Sequence, residues 1–250
     1  MVDIHCHILA EVDDGPRSWD VSEEMCRMAA ADGIEHIVAT PHASERFAYD
    51  REPLEKLLEY LRQRIAAVAD LVPPKLSLGC DFHFSYENLQ DALKRPERYA
   101  IGDSRYLLVE MSNYSIPPQV ERQLAQLTEI GLTPVITHPE RNPILQRTPE
   151  RVVRWVELGC VVQLTASVMT GSWGEPAWRT AEWLLKRDAV HVLATDAHDT
   201  RHRVPVLSKA RDAVQEDYGS DLAEALICAN PQAIVNGQPL PYFPAPAAKR

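Results

Sequence analysis

Two histidines near the start of the chain have the spacing of a metal site. His5 and His7 lie two residues apart in an apolar segment. Residues two apart in a β-strand point to the same face, so both imidazoles could bind one first-row metal ion, while Cys6 points away. A His-x-His pair also occurs by chance on protein surfaces. The pair alone therefore leaves metal binding and a solvated surface as open alternatives.

Other histidines and carboxylates follow apolar segments at predicted strand ends. Single cases have simpler explanations, since Asp13-Asp14-Gly15-Pro16 could be a turn, His42 a loop residue and Asp196 a helix cap. Glu110 is harder to explain in this way, because a charge that ends an apolar strand is costly to bury without a cation or hydrogen bonds. Together these residues predict a metal centre with the ligands His5, His7, Asp14, His42, Asp81, Glu110, His138, Asp196 and His198.

Imidazole and carboxylate ligands without a thiolate favour Mn²⁺, Fe or Zn²⁺ over Ca²⁺. So many ligands predict more than one ion. In multimetal sites a bridging water or hydroxide is the nucleophile, and hydrolysis of a phosphoryl or carbonyl group is the natural chemistry. Arg141 and Arg203 follow His138 and His198 in the chain. Each could bind phosphate in a bidentate fashion, or could instead form a surface ion pair.

The net charge of −10 argues against a nucleic-acid surface, which normally carries a basic patch. An acidic chain should also repel an anionic phosphate. Three divalent ions, however, would exceed the charge of the carboxylates of Asp14, Asp81, Glu110 and Asp196 by two. The metal centre would then attract phosphate locally.

A repeated unit of a helix, a glycine and a short apolar strand would position these residues. One unit begins at Asp20, ends its helix at Gly33 and leads through residues 37–40 to His42. Helices between strands imply parallel pairing, which fits a closed barrel or an open doubly wound sheet. We favour an α/β barrel, because barrels gather polar strand ends on one rim and the chain has no glycine-rich phosphate loop. Seven strands are predicted, at residues 2–8, 37–40, 76–82, 106–111, 134–137, 161–165 and 190–195.

The length of 250 residues predicts one barrel domain, residues 1–238, and a proline-rich tail, residues 239–250. Five cysteines without paired short spacing fit reduced thiols. The chain has no long apolar run and no basic-apolar leader, so we expect a cytoplasmic protein without membrane insertion. No cysteine is followed by an arginine six positions later. This excludes the thiolate mechanism of cysteine-based tyrosine phosphatases and leaves the metal centre as the catalyst.

The motifs resemble those of the polymerase and histidinol phosphatase (PHP) superfamily. They are Asp3-Ile4-His5-Cys6-His7-Ile8, Val12-Asp13-Asp14-Gly15-Pro16, Ala39-Thr40-Pro41-His42, Thr137-His138-Pro139-Glu140-Arg141 and Thr195-Asp196-Ala197-His198. The long first motif, Asp103-Ser104-Arg105-Tyr106 and the His-x-Glu-Arg element are most similar to bacterial CpsB/YwqE-type metal-dependent protein-tyrosine phosphatases. The resemblance covers about residues 1–235.

This resemblance implies a distorted (β/α)7 barrel of the PHP type, with parallel strands, outer helices and three metal ions, often manganese. One ion would lie near His5, His7, Glu110 and Asp196, a second around Asp81, Glu110 and His138, and a third by Asp14, His42 and His198. Arg141 and Arg203 match the phosphate-binding arginines. Two positions depart from the family pattern: Asp81 replaces a glutamate, which could change that ion's occupancy, and Asp199 replaces an asparagine.

The resemblance also implies a substrate: a phosphotyrosine-containing protein, namely a bacterial tyrosine kinase of capsule or exopolysaccharide export. A small-molecule phosphatase, such as one for histidinol phosphate, is the alternative enzyme. A non-catalytic metal-binding regulatory module is the alternative from another class, and the complete ligand set speaks against it. The predicted site leaves out the histidines His36, His83, His191 and His202.

Overall fold

The computed structural model describes residues 1–69 and 71–246. Its strands pair in parallel throughout. They are β1 (Val2–Cys6), β2 (His36–Ala39), β3 (His42–Ala43), β4 (Lys75–Leu78), β5 (Asp81–His83), β6 (Tyr106–Glu110), β7 (Thr133–Thr137), β8 (Val161–Thr165) and β9 (Val192–Ala194). All seven predicted strands are present. The predicted strand 76–82 is interrupted, and the predicted strand 37–40 resumes after a break as β3, which was not predicted.

The interruptions divide two long strands into β2 with β3 and β4 with β5. Thr40 and Pro41 separate the first pair, and proline has no N–H to donate to a ladder. Gly79 and Cys80 separate the second pair. A Cβ atom at Gly79 would lie 2.9 Å from Val38 Cγ1, so the neighbouring side chains leave no room there for a larger residue. Both strands resume in register, with His42 opposite Asp81.

The strands form two sheets, with the orders β1-β2-β4 and β3-β5-β6-β7-β8-β9. Backbone hydrogen bonds join the end of β9 to β1, from Asp196 N–H to the His5 carbonyl at 2.8 Å and from His7 N–H to the Ala197 carbonyl at 2.8 Å. With the interrupted strands counted once each, seven strands surround a common interior. The fold is therefore the predicted distorted (β/α)7 barrel.

Helices on the outside of the barrel connect the strands. They are α1 (Trp19–Ala31), α2 (Arg51–Ala66), α3 (Tyr86–Ala92), α4 (Val120–Glu129), α5 (Pro143–Arg147), α6 (Glu150–Glu157), α7 (Gly174–Leu185), α8 (Ser208–Tyr218), α9 (Ser220–Glu224) and α10 (Asn230–Val235). α1 buries Met25, Cys26 and Ala29 on one stripe. Its N-cap is Ser18, whose hydroxyl accepts the N–H of Val21 at 3.4 Å, so the helix begins at Trp19, one residue before the predicted start at Asp20.

Two apolar regions stabilise this arrangement. Ile4, Val38, Leu108, Val135 and Val192 belong to a cluster of strand residues inside the barrel. A larger cluster, which includes Cys6 and the apolar faces of the helices, fills the layer outside the strands. Cys6 therefore points away from the barrel interior. Ile4, two residues earlier, faces the interior because the pairing register of β1 shifts between Asp3 and Cys6. None of the helices within the described ranges is long and apolar enough to span a bilayer.

The predicted tail begins by packing under the amino end of the barrel. Tyr106 Oη donates to the carbonyl of Gln238 at 2.7 Å. The Asn230 side chain bonds the backbone of Tyr242 in both directions, at 2.7 and 3.0 Å. The Phe243 ring stacks on His191 with ring centroids 4.4 Å apart. Residues 247–250 of the tail lie outside the described residues.

Candidate metal centre

The carboxyl ends of the strands bring all nine predicted ligands to one rim of the barrel. β1 contains His5 and ends at Cys6, directly before His7, and Asp14 lies in the loop that follows. The resumed strands β3 and β5 begin with His42 and Asp81, and β6 ends with Glu110. His138, Asp196 and His198 follow β7 and β9. Because parallel strands share one carboxyl edge, residues far apart in sequence meet here.

Four buried side chains form the middle of the cluster. The Nε2 atoms of His5 and His7 lie 3.3 Å apart. Asp196 Oδ1 lies 3.4 Å from each of these nitrogens. Asp81 Oδ2 lies 3.6 Å from His5 Nε2 and 4.0 Å from His7 Nε2. Each of the four side chains is at most 2% exposed, so their donor atoms face one another instead of water.

A more open part of the cluster faces solvent. Asp14 Oδ1 lies 3.4 Å from His42 Nε2 and 3.2 Å from His198 Nε2. His42 also connects to the middle, because its Nδ1 lies 3.1 Å from Asp81 Oδ2. The Asp14 side chain is 49% exposed. A substrate can therefore reach the cluster from this side.

Glu110 lies on the side of the cluster that also holds Asp81 and His138, which the family resemblance assigns to the second ion. Its carboxylate groups with His42 and Asp81, and Oε1 lies 3.9 Å from His138 Nε2. Within the described residues it does not form a group with His5 and His7. The sets whose donor atoms all lie within 4.8 Å of one another are His7 with Asp14, His42 and His198; His5 with His7 and Asp81; His5 with His138 and Asp196; and His42 with Asp81 and Glu110.

The surroundings of the Asp81 carboxylate indicate whether this cluster suits cations. It is 1% exposed, and neither oxygen has a hydrogen-bond partner in the described part of the chain. Burial raises its pKa, but the His5 and His42 imidazoles outweigh that effect and hold the pKa well below the usual range. A buried, ionised carboxylate without hydrogen bonds requires nearby positive charge. Divalent cations fit this position, and the mixed nitrogen and oxygen donors suit Mn²⁺, Fe or Zn²⁺.

Neighbouring carboxylates also raise the pKa values of two histidines of the cluster, His7 and His42. Burial lowers the pKa of His7, but Asp13 and Asp196 raise it to about 9. Burial also lowers the pKa of His42, but the nearby Asp14 and Asp81 carboxylates raise it to about 11. Protons and metal ions therefore compete for these imidazoles, and cation binding at this rim must release protons.

Backbone strain coincides with two of the predicted ligands. His138 has a φ of 34° and Asp196 a φ of 51°, in the left-handed region that non-glycine residues rarely adopt. Each directly follows a strand or lies just beyond one, where the chain must turn sharply toward a helix. Strain of this kind persists at functional sites because the surrounding structure holds it in place. The turns aim both side chains at the cluster.

Arg141 and Arg203 lie at the edge of the metal centre. One guanidinium nitrogen of each contacts Asp196 Oδ2, with Arg203 Nη2 at 2.5 Å. Arg141 also donates to Thr165 Oγ1 at 3.1 Å, and Arg203 Nε donates to the Asp196 carbonyl at 3.2 Å. Both arginines are thus anchored on the carboxylate of a predicted ligand.

Two residues that the sequence reasoning left out of the ligand set orient the first histidines. Asp13 Oδ2 lies 2.7 Å from His7 Nδ1 and accepts the His42 N–H at 3.0 Å. Gln163 Oε1 lies 3.1 Å from His5 Nδ1. Partners of this kind fix the tautomer and ring orientation of metal-binding histidines. Gln163 could have been found from sequence, since a polar residue in the apolar strand β8 needs a partner when buried.

Two further neighbours had weaker sequence signals or none. His83 Nδ1 lies 3.4 Å from Glu110 Oε2, and its position two residues after Asp81 was its only signal. The Trp173 ring lies under the Arg141 guanidinium, with Cζ 3.9 Å from the ring centroid. Trp173 belongs to the loop before α7, and nothing in its sequence context indicates this contact.

The chain is similar to known proteins along nearly its whole length. The family model for capsular polysaccharide synthesis, CpsB/CapC, matches residues 1–236. The chain is 32% identical to the tyrosine-protein phosphatase CpsB of Streptococcus pneumoniae over 95% of this chain and 99% of that protein. It is 30% identical to the tyrosine-protein phosphatase YwqE of Bacillus subtilis, over 100% of this chain and 97% of that protein.

Solved structures extend the comparison. The fold matches, with a TM-score of 0.90, 30% identity and full coverage of both chains, a crystal structure from work on B. subtilis YwqE and S. pneumoniae CpsB, described as unique metal-dependent tyrosine phosphatases. The Escherichia coli phosphotriesterase homology protein shares the fold alone, with a TM-score of 0.55 and 10% identity over 90% of this chain and 94% of that one. The chain belongs to the CpsB/CapC family of capsular polysaccharide synthesis proteins.

Proposed function

We propose that the chain is a metal-dependent protein-tyrosine phosphatase. The observation that carries this proposal is the convergence of nine imidazole and carboxylate side chains with two arginines on one rim of the barrel. Full-length relatives named tyrosine-protein phosphatases support the activity. The proposed substrate is a phosphotyrosine protein, namely a bacterial tyrosine kinase of capsule or exopolysaccharide export, and the proposed location is the cytoplasm.

The proposed cofactors are three divalent ions, with manganese favoured. The spacing of donor atoms supports sites around His7, Asp14, His42 and His198, around His5, His138 and Asp196, and around Asp81 with its neighbours. When bound, such ions supply Lewis acidity, an activated water and compensation for the carboxylate charge. The Asp81 oxygens, which lack hydrogen bonds in the described residues, support cation binding in the buried middle of the cluster.

The protein's own residues bind and orient the substrate. Arg141 and Arg203 approach Asp196 from outside the cluster, so a phosphoryl group at the rim meets two guanidinium groups on one side. Phosphoryl transfer depends mainly on positioning and on stabilising charge on the phosphate oxygens. Asp13 and Gln163 hold the His7 and His5 rings in place. A rigid cluster of this kind keeps the reacting groups aligned.

The test is a substrate panel combined with metal removal. The purified chain is assayed with a phosphotyrosine peptide, a phosphoserine peptide, p-nitrophenyl phosphate and histidinol phosphate. We expect the phosphotyrosine peptide to be hydrolysed at least tenfold faster than histidinol phosphate. We expect chelation to abolish turnover, added Mn²⁺ to restore it, and elemental analysis to find about three ions per chain. Faster turnover of histidinol phosphate, or activity that survives chelation, would contradict the proposal.

A further inference from the structure

A cavity lies beside the metal centre. It measures about 240 Å³ and opens between the loop from Ala166 to Trp173, the loop from His202 to Val206 and the start of α8. Thr195 and Arg203 form the wall that faces the metal centre, since Arg203 also contacts Asp196 Oδ2 at 2.5 Å. We refer to this cavity as the lateral pocket.

The lateral pocket is cationic in an acidic protein. Arg203, Lys209 and His202 line it, together with the hydroxyl-bearing residues Ser167, Thr170 and Ser172. No aspartate or glutamate is among the lining residues, although the chain has 36 acidic and 26 basic residues. Within the described residues, Lys209 has no carboxylate in ion-pair distance. The unpaired Lys209, together with Arg203 and the hydroxyl groups around one cavity, suits an anion.

This anion would be additional to the phosphate at the metal centre. None of the nine predicted metal ligands lines the lateral pocket, and neither does Arg141. Arg203 is the shared element, because its guanidinium reaches Asp196 from the pocket wall. Arg203 thus borders both positions, so they are adjacent. Since a peptide advances about 3.3–3.6 Å per residue, one peptide can reach both positions within a few residues.

The pocket also has apolar surface that suits the stem of a side chain. Val204, Val206, Ala166 and Ala210 line it beside the polar groups, and the Trp173 ring closes one side. The Trp173 indole is held by a hydrogen bond from Nε1 to Ser167 Oγ at 3.0 Å. Methylene groups or an aromatic ring could pack here while a terminal anion meets Arg203 and Lys209. A bare inorganic ion would leave this apolar surface unused.

We propose that the lateral pocket binds a second anionic side chain of the peptide substrate, within a few residues of the phosphotyrosine that enters the metal centre. This inference rests on the proposed phosphatase function. The anion is a carboxylate or a second phosphoryl group, since both chemistries suit the same cations. The pocket thereby makes the enzyme select acidic or multiply phosphorylated segments.

The test compares peptides that share one phosphotyrosine and differ in their neighbours. One peptide has neutral neighbours, a second set carries glutamate at each position up to four residues away, and a third set carries a second phosphotyrosine there. We expect kcat/KM for the preferred anionic peptide to exceed that of the neutral peptide at least tenfold. The glutamate and phosphotyrosine sets distinguish the two sources of the anion. Equal kcat/KM values across all peptides would show that the lateral pocket does not bind a second anionic side chain of the substrate.

Variants of Lys209 test the location. The Lys209 side chain is exposed, so its replacement leaves the core intact. Lys209→Met should reduce the preference for the anionic peptide about tenfold, and Lys209→Glu should reverse it in favour of a lysine-flanked peptide. Lys75→Met is the matched control, because Lys75 is an exposed lysine at the opposite end of the barrel, and it should leave the preference unchanged.

The two proposals fail in different ways. If no phosphotyrosine peptide and no p-nitrophenyl phosphate are hydrolysed by the metal-loaded protein, the phosphatase function is wrong, and the lateral pocket falls with it. If all phosphotyrosine peptides are hydrolysed but Lys209→Glu keeps the wild-type preference, the phosphatase function stands and only the lateral pocket is wrong.

Discussion

Histidines occur at both ends of the barrel, but their surroundings differ. At the carboxyl end, His5, His7 and His42 face aspartate oxygens at 3.1–3.6 Å. At the amino end, His36 Nε2 lies 2.9 Å from Ser77 Oγ, and His191 Nδ1 accepts the Val162 N–H at 3.1 Å. Within the described residues, neither His36 nor His191 has a carboxylate in ion-pair distance.

This difference appears in the proton affinities. Burial lowers the pKa of His191 to about 4, and burial with the Lys75 charge lowers that of His36 to about 4. At the other end, neighbouring carboxylates overcome burial and raise the pKa of His42 to about 11. The comparison shows that burial alone gives a neutral, structural histidine. Burial also lowers the pKa values of His138 and His198 at the carboxyl end. What distinguishes the metal centre is therefore that its histidines lie close to carboxylates, and the pKa alone does not identify a ligand.

The largest expected effect is the loss of a carboxylate from the metal centre. Asp81→Asn keeps the shape of the side chain but removes the charge that faces His5 and His42. We expect kcat/KM for p-nitrophenyl phosphate to fall at least about 100-fold. Replacing a residue that only orients a metal ligand already reduces metal affinity or activity about 10–100-fold, and Asp81 is itself a predicted ligand. Elemental analysis should show reduced metal content at unchanged circular dichroism.

The control for this variant lies at the other end of the barrel. His36→Gln replaces a buried histidine and retains a group that can bond Ser77. We expect kcat/KM within about twofold of the wild type, as is usual for changes remote from a site. A comparable loss of activity in both variants would show that the two ends of the barrel do not differ as we describe.

A smaller effect is expected from a residue that touches the metal centre only through a histidine. Gln163→Leu removes the group that faces His5 Nδ1 at 3.1 Å. We expect metal affinity to fall about 10–100-fold, since such partners orient the ligand. Activity should return when the metal concentration is raised, and Gln163→Glu, which keeps an acceptor, should retain most of the affinity. An activity loss that added metal does not relieve would indicate a purely structural role for Gln163.

The sequence predicted the fold class and the rim that carries the cluster for a simple physical reason. Alternation along β1 separates His5 and His7 from Cys6, and strand ends in a parallel barrel share one edge. The interruptions at Pro41 and Gly79 were not predicted. They depend on contacts between neighbouring strands, such as the close approach of Gly79 to Val38.

The grouping of ligands could not be predicted because it depends on the register between strands. His42 is opposite Asp81, and His83 is opposite Glu110. These pairings place Glu110 beside His42 and Asp81 instead of beside His5. The contact between Trp173 and Arg141 could not be predicted either. It depends on the conformation of a loop, in which Trp173 has a φ of 72° and its ring lies under the Arg141 guanidinium.

The smallest expected effect is on stability alone and comes from His191, a neutral histidine at the amino end of the barrel. Above pH 6.5, His191 is neutral in both the folded and the unfolded chain, so it adds no pH dependence. Between about pH 6.5 and 4, the unfolded chain binds a proton that the folded protein does not. The free energy of unfolding therefore falls as the pH falls, by about 3 kcal/mol at about 1.36 kcal/mol per pKa unit.

His191→Asn keeps an acceptor near the Val162 N–H but cannot titrate in this range. We expect its free energy of unfolding to fall less than that of the wild type between pH 7 and pH 4.5, by urea denaturation with chelator in both samples. The metal-centre histidines also titrate, but they are the same in both proteins, so the difference belongs to His191. Activity at pH 7 should match the wild type, because the substituted ring lies at the end of the barrel away from the metal centre. An identical pH dependence in both proteins would mean that His191 is protonated in the folded state, and that burial does not suffice to keep a histidine neutral.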